Sequence, residues 1–291
     1  MADTNKRVKS RSQWGEVWRR LRTNKGAMIG LAIVVILAVI ACSVDFIYDY
    51  EVDIIAMNMP NKLQWPSAEH WFGTDSYGRD IFARIVYGSR VSLWIGISST
   101  VLSTAIGLFL GSICGYFGGN LDIVIMRGCD ILGAIPNLLM GMVIVSALGP
   151  STTNLIIALG ITGAPPIART TRAAVLTVCN SEYVESARSI GMPEWKIIMK
   201  YILPNCMSPI IVAVTLRVGS AIIAASTLSF LGLGVQEPAP EWGAMLSDGR
   251  NYIRGYSYIT LFPGLAIMLT VLALNMFGDG LRDAMDPKLR R

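Results

Sequence analysis

Residues 131–168 run for about 38 positions without a charged side chain. As one helix that run would measure ~57 Å, nearly twice the ~30 Å hydrocarbon core of a bilayer. It has to fold back, and the turn-forming stretch "LGPSTTN" at 148–154 is where it breaks. We therefore predict a hairpin of two spans. Four other runs follow the same logic. Residues 26–44 and 256–277 are each one span. Residues 91–121 are too long for one crossing but are cut short by "GYFGGN" at 115–120, and 207–233 are interrupted only by Arg217. The composition agrees: 15% of residues are charged, against about a quarter in soluble domains. The expected fold is an all-α integral membrane protein with six transmembrane helices. Kinks are expected at Pro136 and Pro263, and "APP" at 164–166 is expected to close the fourth span.

An even number of spans puts both termini on one side. Lys6, Arg7, Lys9, Arg11, Arg19, Arg20, Arg22 and Lys25 precede the first span. Arg169, Arg172, Arg188, Lys196 and Lys200 lie between spans four and five, and Arg282, Lys288, Arg290 and Arg291 follow the sixth. All three groups fall on the same side, which the positive-inside rule makes cytoplasmic. The opposite loops are richer in acids, among them Asp49, Glu51, Asp53, Glu237 and Glu241. The chain then divides into a cytoplasmic amphipathic segment at 1–25, a first span at 26–47 and an extracytoplasmic loop at 48–90. A five-helix core at 91–278 and a cytoplasmic tail at 279–291 complete it. Within 1–25, Trp14, Val17, Trp18 and Leu21 recur at i, i+3, i+4 and i+7, the pattern of a helix lying on the inner membrane surface.

Several function classes are disfavoured. The net charge of +5 is accounted for by basic loops, and no basic stripe is interleaved with stacking aromatics, so no nucleic-acid partner is expected. The five cysteines are scattered and read as small buried hydrophobes. With a single histidine, His70, no metal site is expected. No catalytic Ser/His/Asp or paired-carboxylate constellation is present. The apolar run ending "VIAC" at Cys42 loosely resembles a lipoprotein cleavage box, but cleavage is not expected because five more spans follow.

In the second predicted span Ser99, Ser103, Gly107, Gly111 and Gly115 recur every four residues, a small-residue stripe that lets helix backbones approach closely. Whether its neighbour belongs to this chain is not legible. Arg217 sits ~15 Å into the fifth span if that helix starts near Met207. Such a charge faces a pathway or a partner. The alternative is a later helix start, with Arg217 nearer the inner interface and paired with Asp130 or with another chain. Asp75, Arg79 and Asp80, beside Gly73 and Gly78, read as a hydrogen-bonded corner or as a contact for an outside protein. Glu241 and Trp242 are further candidates for that contact.

Residues 180–205 form a polar island between greasy spans. Asn180 or Ser181 suits an N-cap, and Val184, Ala187 and Ile190 share a side of the short helix that follows. Gly191 provides a permissive C-terminal turn, and Pro193 suits the first position of a second helix. There Trp195, Ile198, Met199 and Ile202 make one apolar face, and Pro204 is expected to end the helix. An i, i+3 pair between Glu185 and Arg188 is the bland role for that acid. Connector and docking surface remain equally open on these grounds.

The island resembles the "EAA" signature of importer-type ABC permeases: Glu-Ala-Ala, three residues, glycine, nine residues, then Ile-x-Leu-Pro. Glu185, Ser186, Ala187, Gly191, Leu203 and Pro204 occupy those places, with Ser186 in place of alanine and Tyr201 in place of isoleucine. "HWFGTDSYGRDIFARIVYGSRVSL" at 70–93, "LSFLGLGVQEPAPEWGAML" at 228–246 and "GDGLRDAMDPKLR" at 278–290 are similar to the subfamily that imports peptides and nickel. The resemblance covers nearly the whole chain.

The resemblance implies a type I ABC importer permease architecture with cytoplasmic coupling helices, in a bacterial-type inner membrane. It implies a second homologous permease subunit, two ATPase subunits that use ATP and Mg, an extracytoplasmic binding protein and a peptide substrate. This chain has no G-x-x-x-x-G-K-[ST] and is expected to bind no cofactor itself. Glu185, Ser186, Ala187, Gly191, Trp195, Ile198, Met199, Leu203 and Pro204 are the implied ATPase-coupling surface, and Arg217 is a pathway candidate. Nickel, glutathione or an opine-like solute are alternative cargoes. An ion-coupled secondary transporter is disfavoured by the scarcity of intramembrane acids.

Overall fold

A computed structural model describes residues 13–286. Helix α1 (Gln13–Thr23) turns at Asn24 into α2 (Lys25–Ser43), and the Asn24 side chain accepts the Ala27 N–H at 3.1 Å. After a long loop come α3 (Ile81–Phe117), α4 (Gly119–Ala134), α5 (Asn137–Leu148) and α6 (Thr152–Val178). Next are the short α7 (Glu182–Ser189) and α8 (Glu194–Ile197), then the long α9 (Leu203–Phe230). The chain closes with α10 (Trp242–Gly249) and α11 (Tyr258–Met285). Among the described residues there is no strand, only an isolated bridge between Thr74 and Asp80. Lys6, Arg7, Lys9, Arg11, Lys288, Arg290 and Arg291 lie outside the described residues, as does the side chain of Trp14.

Among the described residues four helices are long and apolar enough to cross a membrane: Lys25–Phe46, Ile81–Phe117, Glu194–Phe230 and Tyr258–Met285. The pair α4 and α5 passes the same test but is bent by 91°. Helix α6, with 27 residues, is ~40 Å long, enough by length alone to reach across. The six predicted spans thus have counterparts, with three corrections. The third is not a straight helix inside a hairpin: α5 has 12 residues, only ~18 Å, and is long enough to span only when taken together with α4. The break follows from Pro136, which lacks a donor and forces Ile135 into extended backbone (φ −91°, ψ 130°). Second, "APP" does not close the fourth span, because α6 runs through Pro165 and Pro166 to Val178. Their lost hydrogen bonds are tolerated where neighbouring helices enclose the segment. Third, the second span begins at Ile81 rather than Val91, because the Asp80 carboxylate caps it by accepting the Ala83 N–H at 2.9 Å.

The core is α3 against α6. Ser99, Ser103, Gly107, Gly111 and Gly115 are all buried, so the stripe's partner belongs to the same chain. A Cβ on Gly111 would lie 2.5 Å from the Ala168 carbonyl oxygen, and one on Gly115 2.7 Å from Val175 Cβ. The hydroxyls of Ser99 and Ser103 donate within their own helix, to the Ile95 and Thr100 carbonyls. Helices α2 and α11 pack as tightly, since a Cβ on Gly30 would meet the Ala273 carbonyl at 2.6 Å. Leu21 of α1 and Ala27 of α2 bury against Leu281 and Ala284 near the end of α11. Both ends of the described chain therefore share one end of the bundle. Trp18 stays 43% exposed.

Candidate functional site

The polar island folds as a helix–glycine–helix elbow at the end of the bundle that carries the termini. Its inner side is apolar: Val184, Ala187, Ile197, Ile202, Cys206 and Ile210 bury against Tyr116 of α3, Ala174 and Val175 of α6, and Cys179 just beyond it. Polar groups pin the same joint. Tyr116 donates its hydroxyl to the Glu194 carboxylate, Arg188 Nε donates to Tyr116 Oη at 3.1 Å, and the Arg188 guanidinium lies 4.7 Å from the Tyr116 ring centre. Arg188 is thus turned to Tyr116 rather than to Glu185, which is exposed.

The reversal between α7 and α8 rests on Gly191, at φ +74°. Its N–H donates to the Arg188 carbonyl at 2.9 Å, and the Met192 N–H to the Ala187 carbonyl at 3.2 Å, the Schellman-like closure for which glycine is the ordinary residue. Ser181 occupies the N-cap position of α7, yet its hydroxyl donates back to the Val178 carbonyl and caps no helix N–H.

Two readings of this segment are corrected. Pro204 does not end the second helix: Glu194 to Phe230 is one continuous 37-residue element. A π-helical turn at Ile198–Ile202, with the Leu203 N–H donating to the Ile198 carbonyl, adds a residue to the turn before Pro204 and absorbs its missing donor. The same turn breaks the expected face. Ile202 is buried with Ile197, while Trp195 (63%) and Met199 (61%) stand exposed. Ile198 is half-buried, as is Leu203, and Glu185, Ser186 and Pro204 are exposed. With Ile190 at 77% exposure, the elbow presents an apolar tip on a packed base.

At the far end of the bundle a second polar assembly forms. Asp75 Oδ1 accepts the N–H groups of Tyr77 and Arg79, each at 2.9 Å, and Oδ2 takes Arg79 Nε at 2.6 Å. Arg79, fully buried, also reaches Asp248 at 3.2 Å and Glu237 at 4.0 Å. Arg84 donates to the Ile54 and Pro238 carbonyls at 2.9 and 3.3 Å. Gly78, at φ +76°, is required here because a Cβ would fall 1.8 Å from the Asn58 carbonyl. Asp80 pairs with His70 Nδ1 at 2.7 Å as well as capping α3.

Glu241 and Trp242 are fully buried, so the outside-contact reading does not hold for them in this chain. Glu241 accepts from Ser226, Ser92 and the Ala244 N–H, and Trp242 Nε1 donates to the Ile85 carbonyl at 3.0 Å. They fasten α10 to α3 and α9.

Burial and the neighbouring Glu237 push the Asp248 carboxyl up to about 7, against the opposing pull of Arg79. Neither acid carried a sequence signal for this pairing, since they are eleven residues apart across a turn. The fold favours protonated Asp248, a contribution fully present below its ordinary value of 3.8 and lost as pH rises through about 7. Thermal unfolding of the detergent-solubilised protein should therefore give a midpoint that falls from pH 6 to 8. Asp248→Asn should flatten that slope, and an unchanged slope in the variant would exclude Asp248 as its source.

Arg217 lies midway along α9 and does not meet Asp130. That acid pairs with Arg169 at 3.0 Å, while Arg172 grips Asp122 with two 2.6 Å bonds, so α4 is tied to α6. Arg217 Nη2 donates instead to the Leu159 carbonyl at 3.1 Å.

Comparisons with known proteins agree with this architecture. A family model described as binding-protein-dependent transport system inner membrane component matches residues 107–291. One described as the N-terminal TM domain of oligopeptide transport permease C matches residues 12–66. The chain is 46% identical over 279 residues to the dipeptide transport system permease protein DppC of Alkalihalophilus pseudofirmus, covering 96% of this chain and 91% of that one. It is 44% identical over 280 residues to the glutathione transport system permease protein GsiD of Escherichia coli O157:H7, covering 96% and 92%. Among solved structures, an inward-facing MetNI methionine ABC transporter superposes with a TM-score of 0.57 at 19% identity, over 71% of this chain and 98% of that one. That likeness concerns the fold.

Proposed function

The chain belongs to the family of binding-protein-dependent transport system inner membrane components, and from that premise we propose that it forms one half of the conducting pathway of an ATP-driven peptide importer. It is a multi-pass membrane permease. In this reading two separate ATPase subunits bind ATP and Mg and hydrolyse the nucleotide, while this chain binds no cofactor. Their closure is passed to the pathway through the elbow. A second, homologous permease completes the pore, and an extracytoplasmic protein delivers the peptide at the far end. Both termini and the elbow face the cytoplasm, in keeping with the basic residues gathered at that end.

The observation that carries this reading is the elbow itself. Ile190, Trp195 and Met199 are large, apolar and exposed at an end of the bundle that faces water. Exposed apolar clusters of this kind mark protein contacts. Glu185, also exposed, adds a charge to the same tip. Large apolar side chains on the bent pair, Val124 at 70%, Ile131 at 69% and Val143 at 64% exposure, support a lipid-facing or permease-facing surface there.

The 46% identity to a dipeptide permease favours di- and oligopeptides as cargo, and the 44% identity to a glutathione permease makes glutathione the second reading. The test is uptake by proteoliposomes holding both permeases, both ATPases and the binding protein. A dipeptide should accumulate only with ATP. Accumulation of glutathione or nickel alone would replace the cargo assignment, and ATP-independent uptake would remove the coupling mechanism.

A further inference from the structure

Resting on the peptide-import reading, we propose that Arg217 binds the terminal carboxylate of the peptide in transit. Arg217 stands 14 residues into the 28-residue α9, ~21 Å along a ~42 Å rod. A cation at that depth is costly unless anions or backbone carbonyls satisfy its donors. Among the described residues no carboxylate pairs with it. One of its five donors holds the Leu159 carbonyl, and its buried Nε has no partner.

The group is built in rather than stranded. It lies against the bare backbone of Gly163, where an added Cβ would fall 2.2 Å from Nη2 and 2.6 Å from Nε. It is also half-buried rather than sealed.

The chemistry fits the proposed cargo. Every peptide with a free C-terminus offers a carboxylate, whatever its side chains, and guanidinium binds that group in a planar, two-bond geometry. A fixed cation of this kind repels nickel.

The complete complex, supplied with saturating loaded binding protein, is compared for uptake of a dipeptide and of its C-terminal amide. The wild type should move the acid at least about tenfold faster. Arg217→Met should slow the acid by roughly ten- to hundredfold and erase the preference, and Arg217→Lys should keep part of it. Co-purification of all subunits should persist in both variants. Equal acid and amide rates in the wild type overturn the proposal, as does an unchanged preference in Arg217→Met. Loss of the second permease from the purified Met variant overturns it too and assigns the charge to an ion pair with that chain. A wild-type complex that imports no peptide with ATP defeats the parent reading instead.

Discussion

Gly111→Val should leave no assembled permease in the membrane. The new Cβ would lie 2.5 Å from the Ala168 carbonyl oxygen, 2.6 Å from Thr171 Cβ and 3.0 Å from the Arg172 N–H nitrogen. Two of those atoms are backbone, so no rotamer change relieves the clash. Moving α3 off α6 would also open the contacts of Gly107 and Gly115 on the same stripe. Overpacking ordinarily costs 1–3 kcal/mol, and a rigid backbone on both sides puts this case at about 3 kcal/mol or beyond. Folded domains hold only about 5–15 kcal/mol in reserve. The measurement is membrane accumulation together with the melting of solubilised protein. Gly128→Ala is the control, since an added Cβ there meets nothing within 4 Å. Parental accumulation and melting of Gly111→Val would remove the α3–α6 stripe as the organising contact.

Gly191→Pro should abolish ATP hydrolysis stimulated by loaded binding protein while leaving insertion intact. Proline fixes φ near −65°, whereas Gly191 stands at +74° and donates its N–H to the Arg188 carbonyl. The substitution removes that bond and redirects the chain between α7 and α8, displacing Trp195 and Met199 relative to Ile190. The six spans lie outside the change, so the protein should still reach the membrane. Gly191→Ala, which bears only the left-handed penalty of about 1–2 kcal/mol, should retain partial coupling. Full stimulated hydrolysis in the proline variant would disconnect the elbow from the ATPases.

Much of the bundle was legible because uncharged runs of spanning length have few alternatives in water or lipid. The elbow was legible for a related reason. Gly191 and Pro193 punctuate a polar stretch in a way that only a helix reversal satisfies. What sequence periodicity missed has identifiable causes. The face through Trp195, Ile198, Met199 and Ile202 assumes 3.6 residues per turn, and the π turn at Ile198–Ile202 adds a residue there. Ile197 is inward in consequence. Proline was over-read as a terminator: Pro204 and Pro165 are both carried inside continuous helices.

Long-range partners were beyond reach in principle. Tyr116 meets Glu194 across 78 positions and Arg79 meets Asp248 across 169, separations at which no local pattern constrains the pairing. The partner of the glycine stripe was equally hidden, because small residues advertise close approach without saying to what. Arg217 was visible as an anomaly, but its neighbours Leu159 and Gly163 carry no charge to announce them.

The 37-residue element from Glu194 to Phe230 is ~55 Å long, with the elbow at one tip and Ser226, a ligand of Glu241, near the other. It packs along α6 over most of its length rather than crossing it at one point: Ile202, Cys206 and Ile210 share a core with Ala174 and Val175, and Ala225 and Leu228 share one with Leu155 and Ala158. In the proposed importer a push at the elbow would therefore be borne by α6 and this element together, and would reach the far end without a separate signal.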